Sequence, residues 1–265
     1  MADASLQEQP NEQQSGDDYV SALARGLEVI RVFTRSEPSL TLSEVAERTD
    51  MHRAAARRIL LTLVREGYAA TDGKHFRLRP KILELGFSAL SSLDICEVAQ
   101  PVLNELAEKL QESCFAAVLD GDTTVYVARA SARRVINVGI NVGHRAPAYA
   151  GSTGRVLLSG LSERELDGYI AGVKLEKFTP HTVTSKVKLR DIIDETRRQG
   201  WSIVNEELEL GLRSISVPIR DRAGDVTGAL NVCCPSARVT PEDMRTRILS
   251  ELLESAQRIS HALPE

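Results

Sequence analysis

No apolar run in this 265-residue chain approaches the ~20 residues that a helical membrane span needs. Its start also lacks the basic-then-apolar pattern of a secretory leader. The four cysteines, Cys96, Cys114, Cys233 and Cys234, show no CxxC spacing, which argues against a zinc site or disulfide framework and for reduced thiols in a cytoplasmic protein. The five histidines, His52, His75, His144, His181 and His261, have no ligand spacing. A nucleophile elbow, a dinucleotide fingerprint and a Walker loop are missing too. No catalytic residue, metal or cofactor is therefore expected. Positive charge is short overall, at a net −4. Its distribution is uneven: between Tyr19 and Pro80 eleven Lys or Arg face seven Asp or Glu, a balance of +4 that leaves −8 elsewhere. A locally basic module joined to an acidic one fits a regulator better than a general nucleic-acid coat protein.

The basic module is organised around Leu40–Arg79. Thr41 with Glu44 three residues on forms a capping box, so a helix should start there, with Leu42, Val45 and Ala46 as its apolar face. After a break at Thr49-Asp50, Ala55, Ala56, Ile59, Leu60 and Leu63 recur at helical spacing. His52, Arg53, Ala54, Arg57 and Arg58 lie at or near the start of this second helix, away from that stripe. Two short helices with a cationic start to the second read as helix-turn-helix. Gly67–Arg79 then reads as a hairpin turning at Asp72-Gly73, which makes it a wing, with Lys74, His75, Arg77 and Arg79 supplying cations. Arg and Lys neutralise phosphates, and residues at the start of the second helix reach base edges in the major groove. The candidate DNA contacts are Thr41, Ser43, His52, Arg53, Ala54, Arg57, Arg58, Lys74 and Arg77. The plainer alternative is a small helical subdomain with a solvated charged face.

Residues 1–18, Gln-rich with five acids and no base, are expected to form a disordered tail. Ser21 can cap a first helix whose stripe is Val20, Leu23, Leu27 and Ile30, giving a DNA-binding domain over 19–80. Pro80 should open a linker helix over 81–94, with Ile82, Leu83, Leu85, Gly86, Phe87 and Leu90 on its apolar side. That side would pack on a partner subunit or on the second domain. In the remainder, 95–265, helices are expected over 97–112 (interrupted near its start by Pro101), 152–159, 162–171 and 185–199, the last ending at Gly200. Cys114–Leu119 is an apolar run followed by a turn at Asp120-Gly121-Asp122, and strands are expected over 124–130, 134–140, 201–205, 214–220 and 226–233. Thr240-Pro241-Glu242-Asp243 should cap a final helix with Leu249, Leu252, Leu253, Ala256 and Ile259 inward. Strands in runs with helices at their flanks argue α+β, an antiparallel sheet covered by helices.

Three stretches could carry chemistry. In Gly151-Ser152-Thr153-Gly154, two glycines bracket two hydroxyls just before a helix, a natural cradle for a carboxylate. The glycines could equally serve a tight turn and helix–sheet packing. Paired Glu206 and Glu207 invite an acid–base reading, but such pairs more often sit in solvent or hold a loop. Asn205 and Ser214, at a strand end and a strand start, are better ligand contacts. Asn231 and Cys233 face one side of a strand and could line one pocket. The vicinal Cys233-Cys234 pair reads more simply as buried small residues than as a redox pair.

Ala24-Arg25-Gly26-Leu27, the Leu40–Leu63 segment, and Gly200-Trp201 followed by Glu206-Glu207 and Gly211-Leu212-Arg213-Ser214-Ile215-Ser216-Val217-Pro218 resemble the IclR family of bacterial transcription regulators. The resemblance runs from about Tyr19 to the C-terminus. Arg53–Leu60, Leu119–Asp122, Val125–Arg129 and Thr153–Leu158 are similar to the branch controlling protocatechuate, 4-hydroxybenzoate and β-ketoadipate pathway genes. The resemblance implies a GAF-like effector domain for a small, usually anionic metabolite, and a dimer or dimer of dimers on operator DNA. It implies an effector pocket of Val135 and Ala146 as apolar walls, with Ser152, Thr153, Asn205, Ser214, Asn231 and Cys233. Asp50-Met51-His52 stands where relatives usually carry Gly-Leu-Ser; Asp tolerates the left-handed turn, and His52 replaces a serine that the resemblance implies contacts a base or phosphate. Ala146 stands where Leu is common, and Ser152-Thr153 where smaller or different pairs are frequent.

The expectation is a homo-oligomeric, cytoplasmic, nucleoid-associated regulator that binds double-stranded operator DNA and a small organic acid, with no membrane partner. Its two alternatives are an effector-independent architectural DNA-binding protein and an enzyme with an accessory winged helix.

Overall fold

The computed structural model describes residues 19–34, 36–85, 94–131 and 139–264. The chain divides into two compact units, Met1–Ser88 and Ala89–Glu265.

The first unit contains α1 (Ser21–Arg31), β1 (Leu40–Thr41), α2 (Leu42–Arg48), α3 (Arg53–Arg65), β2 (Ala69–Thr71) and β3 (His75–Leu78). The capping box forms as expected: the Thr41 hydroxyl accepts from the Glu44 N–H, and the Glu44 carboxylate accepts from the Thr41 N–H at 2.7 Å. Asp50 takes the left-handed conformation, φ +49°, that turns the chain from α2 into α3. Val45, Ala46, Ala56 and Leu60 form the core together with Val29, Leu40 and Phe76. The three strands pair antiparallel in the order β1-β3-β2.

Four details of this unit differ from expectation. Leu40–Thr41 adds a short third strand, because β3 offers an open edge beside the start of α2. The wing turns at Gly73-Lys74, not Asp72-Gly73: Asp72 pairs with His75 through Asp72 N–H to His75 O, and Gly73 supplies the positive φ of +95°. Val20, not Ser21, is the N-cap residue of α1, without a side-chain cap. Of the expected stripe, Val20, Leu23 and Leu27 point away from the core, at 64, 64 and 44% exposed, and Ile30 is half-buried, while Val29 on the other side of α1 is buried. A groove of about 420 Å³ runs between α1 and α3 beside Leu23, Gly26, Ile59 and Leu63. The expected linker helix begins as a 3₁₀ turn, Pro80–Leu83, followed by Glu84 and Leu85 in helical form; its remainder lies outside the described residues.

In the second unit, α4 (Asp94–Leu110) precedes the hairpin β4 (Ser113–Asp120) and β5 (Thr123–Ser131). Next come β6 (Arg145–Pro147), a 3₁₀ turn (Ala148–Ala150), α5 (Ser152–Ser159), α6 (Glu163–Gly172) and α7 (Lys186–Gln199). Strands β7 (Ser202–Asn205), β8 (Leu212–Arg220) and β9 (Val226–Pro235) follow. A final helix comprises Pro241–Asp243, a π-helical segment Met244–Ile248 and α8 (Leu249–Ala262). The six strands form one antiparallel sheet ordered β6-β5-β4-β9-β8-β7. One face packs on α4 and α8 through Leu103, Leu106, Ile215, Val217, Leu230, Val232 and Leu252. The other lies under α5, with α6 and α7 outside it around Leu158, Leu166, Leu189 and Ile193.

Pro101 sits inside α4, and the helix continues through it because Ala99, Val102 and Leu103 hold both flanks on the sheet. Leu253, expected inward, is 46% exposed; the buried line runs Met244, Ile248, Leu252, Ala256, Ile259, and Leu253 stands about 100° from it. Most of the strand expected over 134–140 lies outside the described residues, and Gly139-Ile140 is neither strand nor helix. No helix among the described residues is long and apolar enough to cross a membrane.

Candidate functional site

Strand register decides which side chains meet beneath α5. Phe115 pairs with Asn231, and Asn231 with Ser216; Ser113 pairs with Cys233, and Cys233 with Ser214. Both rows put Phe115, Asn231, Ser216, Cys233 and Ser214 on the face opposite α4 and α8. A β-bulge in β5 extends this face. Ala116 pairs with Ala128 but Ala117 pairs with Tyr126, so Val127 is the extra residue. Without it, Tyr126 would share a face with Ala128; with it, Tyr126 turns to the α5 side and meets Phe115 edge to face at 5.4 Å. Phe115, Ala117, Tyr126, Ala146 and Cys233 form a buried apolar floor, with Leu208 and Leu212 at its rim.

At one side of that floor the first turn of α5 contributes Ser152 and Thr153, 0 and 1% exposed. Ser152 Oγ donates to Ser214 Oγ at 2.8 Å and lies 2.9 Å from Ser216 Oγ; Thr153 Oγ1 lies 3.2 Å from Ser216 Oγ. The Asn231 amide nitrogen donates to Ser216 Oγ at 2.9 Å, with Ser152 Oγ and Ile215 O each at 3.2 Å, while Asn231 Oδ1 has no partner. Gly151 is the N-cap residue and supplies no side chain, so no side chain caps the first N–H groups of α5. Four hydroxyls, one amide and a helix N-terminus thus converge in a water-poor place without a formal charge of their own. Burial pushes the Tyr126 hydroxyl up to about 12, against the lowering contact with Thr153. Burial also raises Cys233 far above an ordinary thiol, which keeps it neutral and unreactive. Among the described residues no group of three His, Cys, Asp or Glu is placed to hold a metal.

The next residue of α5 but one anchors the arrangement. Arg155, 2% exposed, donates Nε to Tyr149 O at 3.0 Å and both terminal nitrogens to Glu207, at 2.9 and 2.6 Å. Glu207 also accepts from Val183 N–H, and its carbonyl from Thr182. Glu206, at φ +59°, accepts from Gly211 N–H at 2.9 Å. The acid pair therefore holds loops.

Asn205 is not brought to this cluster. It pairs with Arg213, whose Nε it accepts at 2.8 Å, on the other face of the sheet. Val135 lies outside the described residues. Ser216, Tyr126 and Phe115 join the cluster although the sequence did not single them out. Period-two spacing from Ser214 could have found Ser216; Tyr126 depends on a bulge that leaves no trace in the alternation of Val125-Tyr126-Val127.

In the first unit, Arg53 and Arg57 project together from the start of α3, and Lys74 and Arg77 from the wing. All four are exposed and make no side-chain bond among the described residues. Arg58 lies about 100° further round α3 than Arg57 and lines the groove beside α1. His52 is the N-cap residue of α3 and makes no capping bond; Ala54 and Ser43 are exposed, and the Thr41 hydroxyl is engaged by its own capping box. Arg48, by contrast, forms a two-pronged ion pair with Glu37.

Residues 22–73 match the IclR helix-turn-helix domain, and residues 87–261 match the IclR C-terminal domain of bacterial transcriptional regulators. The chain belongs to the IclR family. Among curated relatives, the Pca regulon regulatory protein of Pseudomonas putida is 41% identical over 94% of this chain and 86% of its own. A transcriptional regulator from Rhodococcus sp. RHA1 superposes with a TM-score of 0.83 at 46% identity, covering 92% of this chain and 98% of that one. An IclR homologue from Microbacterium hydrocarbonoxydans, solved in complex with 4-hydroxybenzoate, superposes with a TM-score of 0.79 at 25% identity, over 91% and 98%. The IclR architecture accounts for both units: a winged helix-turn-helix and an α+β domain with an antiparallel sheet. The chain is a transcriptional regulator by family.

Proposed function

We propose that this IclR-family chain grips operator DNA through α3 and the wing, and that a small hydroxylated aromatic acid bound beneath α5 alters that grip. The cluster of buried Ser152, Thr153, Ser216 and Asn231 with half-buried Ser214 carries this reading. A carboxylate there exchanges water for hydroxyl donors and the N-terminus of α5. An aromatic ring beside it lies over Phe115, Tyr126, Ala146 and Cys233. The unpartnered Asn231 Oδ1 is an acceptor that a donating ligand group would satisfy, which favours an acid that also carries a hydroxyl. The relative from Microbacterium, bound to 4-hydroxybenzoate, supports the same class.

On the DNA side, Arg53, Arg57, Lys74 and Arg77 supply exposed cations that make no side-chain bond among the described residues. Arg58 faces the groove beside α1 instead, and on the effector side Asn205 is engaged by Arg213 on the other face of the sheet. The exposed Val20–Leu23–Leu27 stripe of α1 supports a homodimer, which would present two α3 helices to a two-fold operator in the cytoplasm. The test is calorimetric titration with 4-hydroxybenzoate and protocatechuate, alongside operator binding. Wild type should bind one of them, and Ser152→Tyr should lose that binding while keeping DNA affinity. A Ser152→Tyr protein that binds the acid normally would move the pocket elsewhere.

A further inference from the structure

The exit of α3 is closed by a side chain from beyond the wing. Leu63, Val64 and Glu66 end the helix in a turn where Gly67, φ +81°, donates to Val64 O and Tyr68 N–H donates to Leu63 O at 2.8 Å. Both of those bonds bypass the carbonyl of Glu66, the C-cap residue. Lys81, in the 3₁₀ turn that follows β3, fills that place: its Nζ donates to Glu66 O at 3.1 Å. The same ammonium stands 4.9 Å from the Tyr68 ring centroid, and its stem passes 3.7 Å from the point where a Cβ on Gly67 would be. One lysine thus touches three successive residues at the end of the recognition helix. Arg79 N–H to Tyr68 O at 2.8 Å closes the base of the wing beside it, and Ile82 N–H to Arg79 O starts the turn that carries Lys81.

Three kinds of contact converge here: a cation on a helix C-terminal carbonyl, a cation over an aromatic face, and a methylene stem over a glycine. Each is modest alone. Together they tie the turn Pro80–Leu83 to the end of α3. Tyr68 keeps its ring free for the lysine because its backbone, not its side chain, serves the wing.

We propose that Lys81 is a positioning residue, a clasp that makes α3, the base of the wing and the first turn of the linker move as one body. This inference rests on the effector-regulated reading above: movement of the linker can be passed to the recognition helix only if its first turn does not yield.

The experiment compares wild type, Lys81→Met and Lys81→Arg in the full chain. Methionine keeps much of the stem and loses the charge, and arginine keeps a donor and a cation for the ring. Amide hydrogen exchange at Ile82 and Glu84 should quicken at least about tenfold in Lys81→Met, with Leu60 unchanged, and stay near wild type in Lys81→Arg. Equal protection in wild type and Lys81→Met overturns the clasp. The second readout is affinity for a duplex selected from a random pool by wild type, with and without 4-hydroxybenzoate. Lys81→Met should bind acid and acid-free duplex within about threefold of wild type, yet show less than about a third of the acid-induced change in DNA affinity. A full acid-induced change in Lys81→Met overturns the positioning role. Absence of any acid-induced change in wild type defeats the effector reading instead, and the exchange result then decides the clasp on its own.

Discussion

Arg155 and Glu207 stand 52 residues apart in the chain and meet as two parallel hydrogen bonds, Nη1 to Oε1 at 2.9 Å and Nη2 to Oε2 at 2.6 Å. Arg155 lies two residues beyond Thr153, and Glu207 precedes the rim residue Leu208. The pair therefore ties the hydroxyl-bearing turn of α5 to the loop that borders the apolar floor. Removing one partner leaves a buried charge alone, so Glu207→Ala should cost about 3–5 kcal/mol. Arg155→Met combined with Glu207→Met should recover most of that loss. Urea unfolding followed by the fluorescence of Trp201, the only tryptophan and a resident of this unit, checks both.

Gly154 is required by close approach. A Cβ there would stand 2.1 Å from Ala148 O, a backbone atom of the 3₁₀ turn against which α5 packs. Gly154→Ala should destabilise the effector unit by about 1–3 kcal/mol and displace Ser152 and Thr153. An unchanged urea midpoint would show that the turn can yield.

His52 occupies the N-cap of α3 without a capping bond. His52→Ser supplies an oxygen for the free N–H groups and should raise the stability of the DNA-binding unit by about 1 kcal/mol. Circular dichroism during thermal unfolding measures this, and a lower midpoint would mean that His52 makes a contact worth more than a cap.

Arg53→Ala and Arg57→Ala should each lose about 1–3 kcal/mol of operator binding, with a shallower salt dependence if the contact is to phosphate. Arg48→Ala should lose less, because Glu37 already holds that guanidinium. Fluorescence anisotropy at several salt concentrations separates the three, and equal losses would argue that all cations of this unit act only through net charge.

Asp72 accepts from the N–H groups of Lys74 and His75 at 2.8 and 2.7 Å, and these bonds hold its carboxyl down to about 2. Its folded value lies below the unfolded one, so the contribution to wing order is complete above about pH 4 and is lost as pH falls toward 2. Carbon-detected NMR of the Asp72 carboxyl should titrate near 2 in the folded chain. A midpoint near 3.9 would mean that the wing turn does not depend on it.

Much of this protein was legible in local sequence because the causes are local. The Thr41–Glu44 and Thr240–Asp243 capping boxes involve residues three apart, and Gly200 ends α7 through its own backbone freedom. Alternation in β9 places Asn231 and Cys233 on one face without knowledge of any partner; Ser214 joins that face only through the β8–β9 register. What the sequence left open depended on neighbours distant in the chain. Tyr126 reaches the candidate pocket only because β5 bulges against β4, and Asn205 is drawn away because Arg213 lies across from it. The α1 stripe has a helical period whichever way it faces; packing of Val29 on α3 turns it outward. Glu207 and Arg155 each look like a surface charge until the sheet and α5 enclose them together. Periodicity and capping are properties of a few successive residues, so the sequence determined them alone. Register, bulges and the pairing of buried charges are properties of contacts, and only the tertiary structure could decide them.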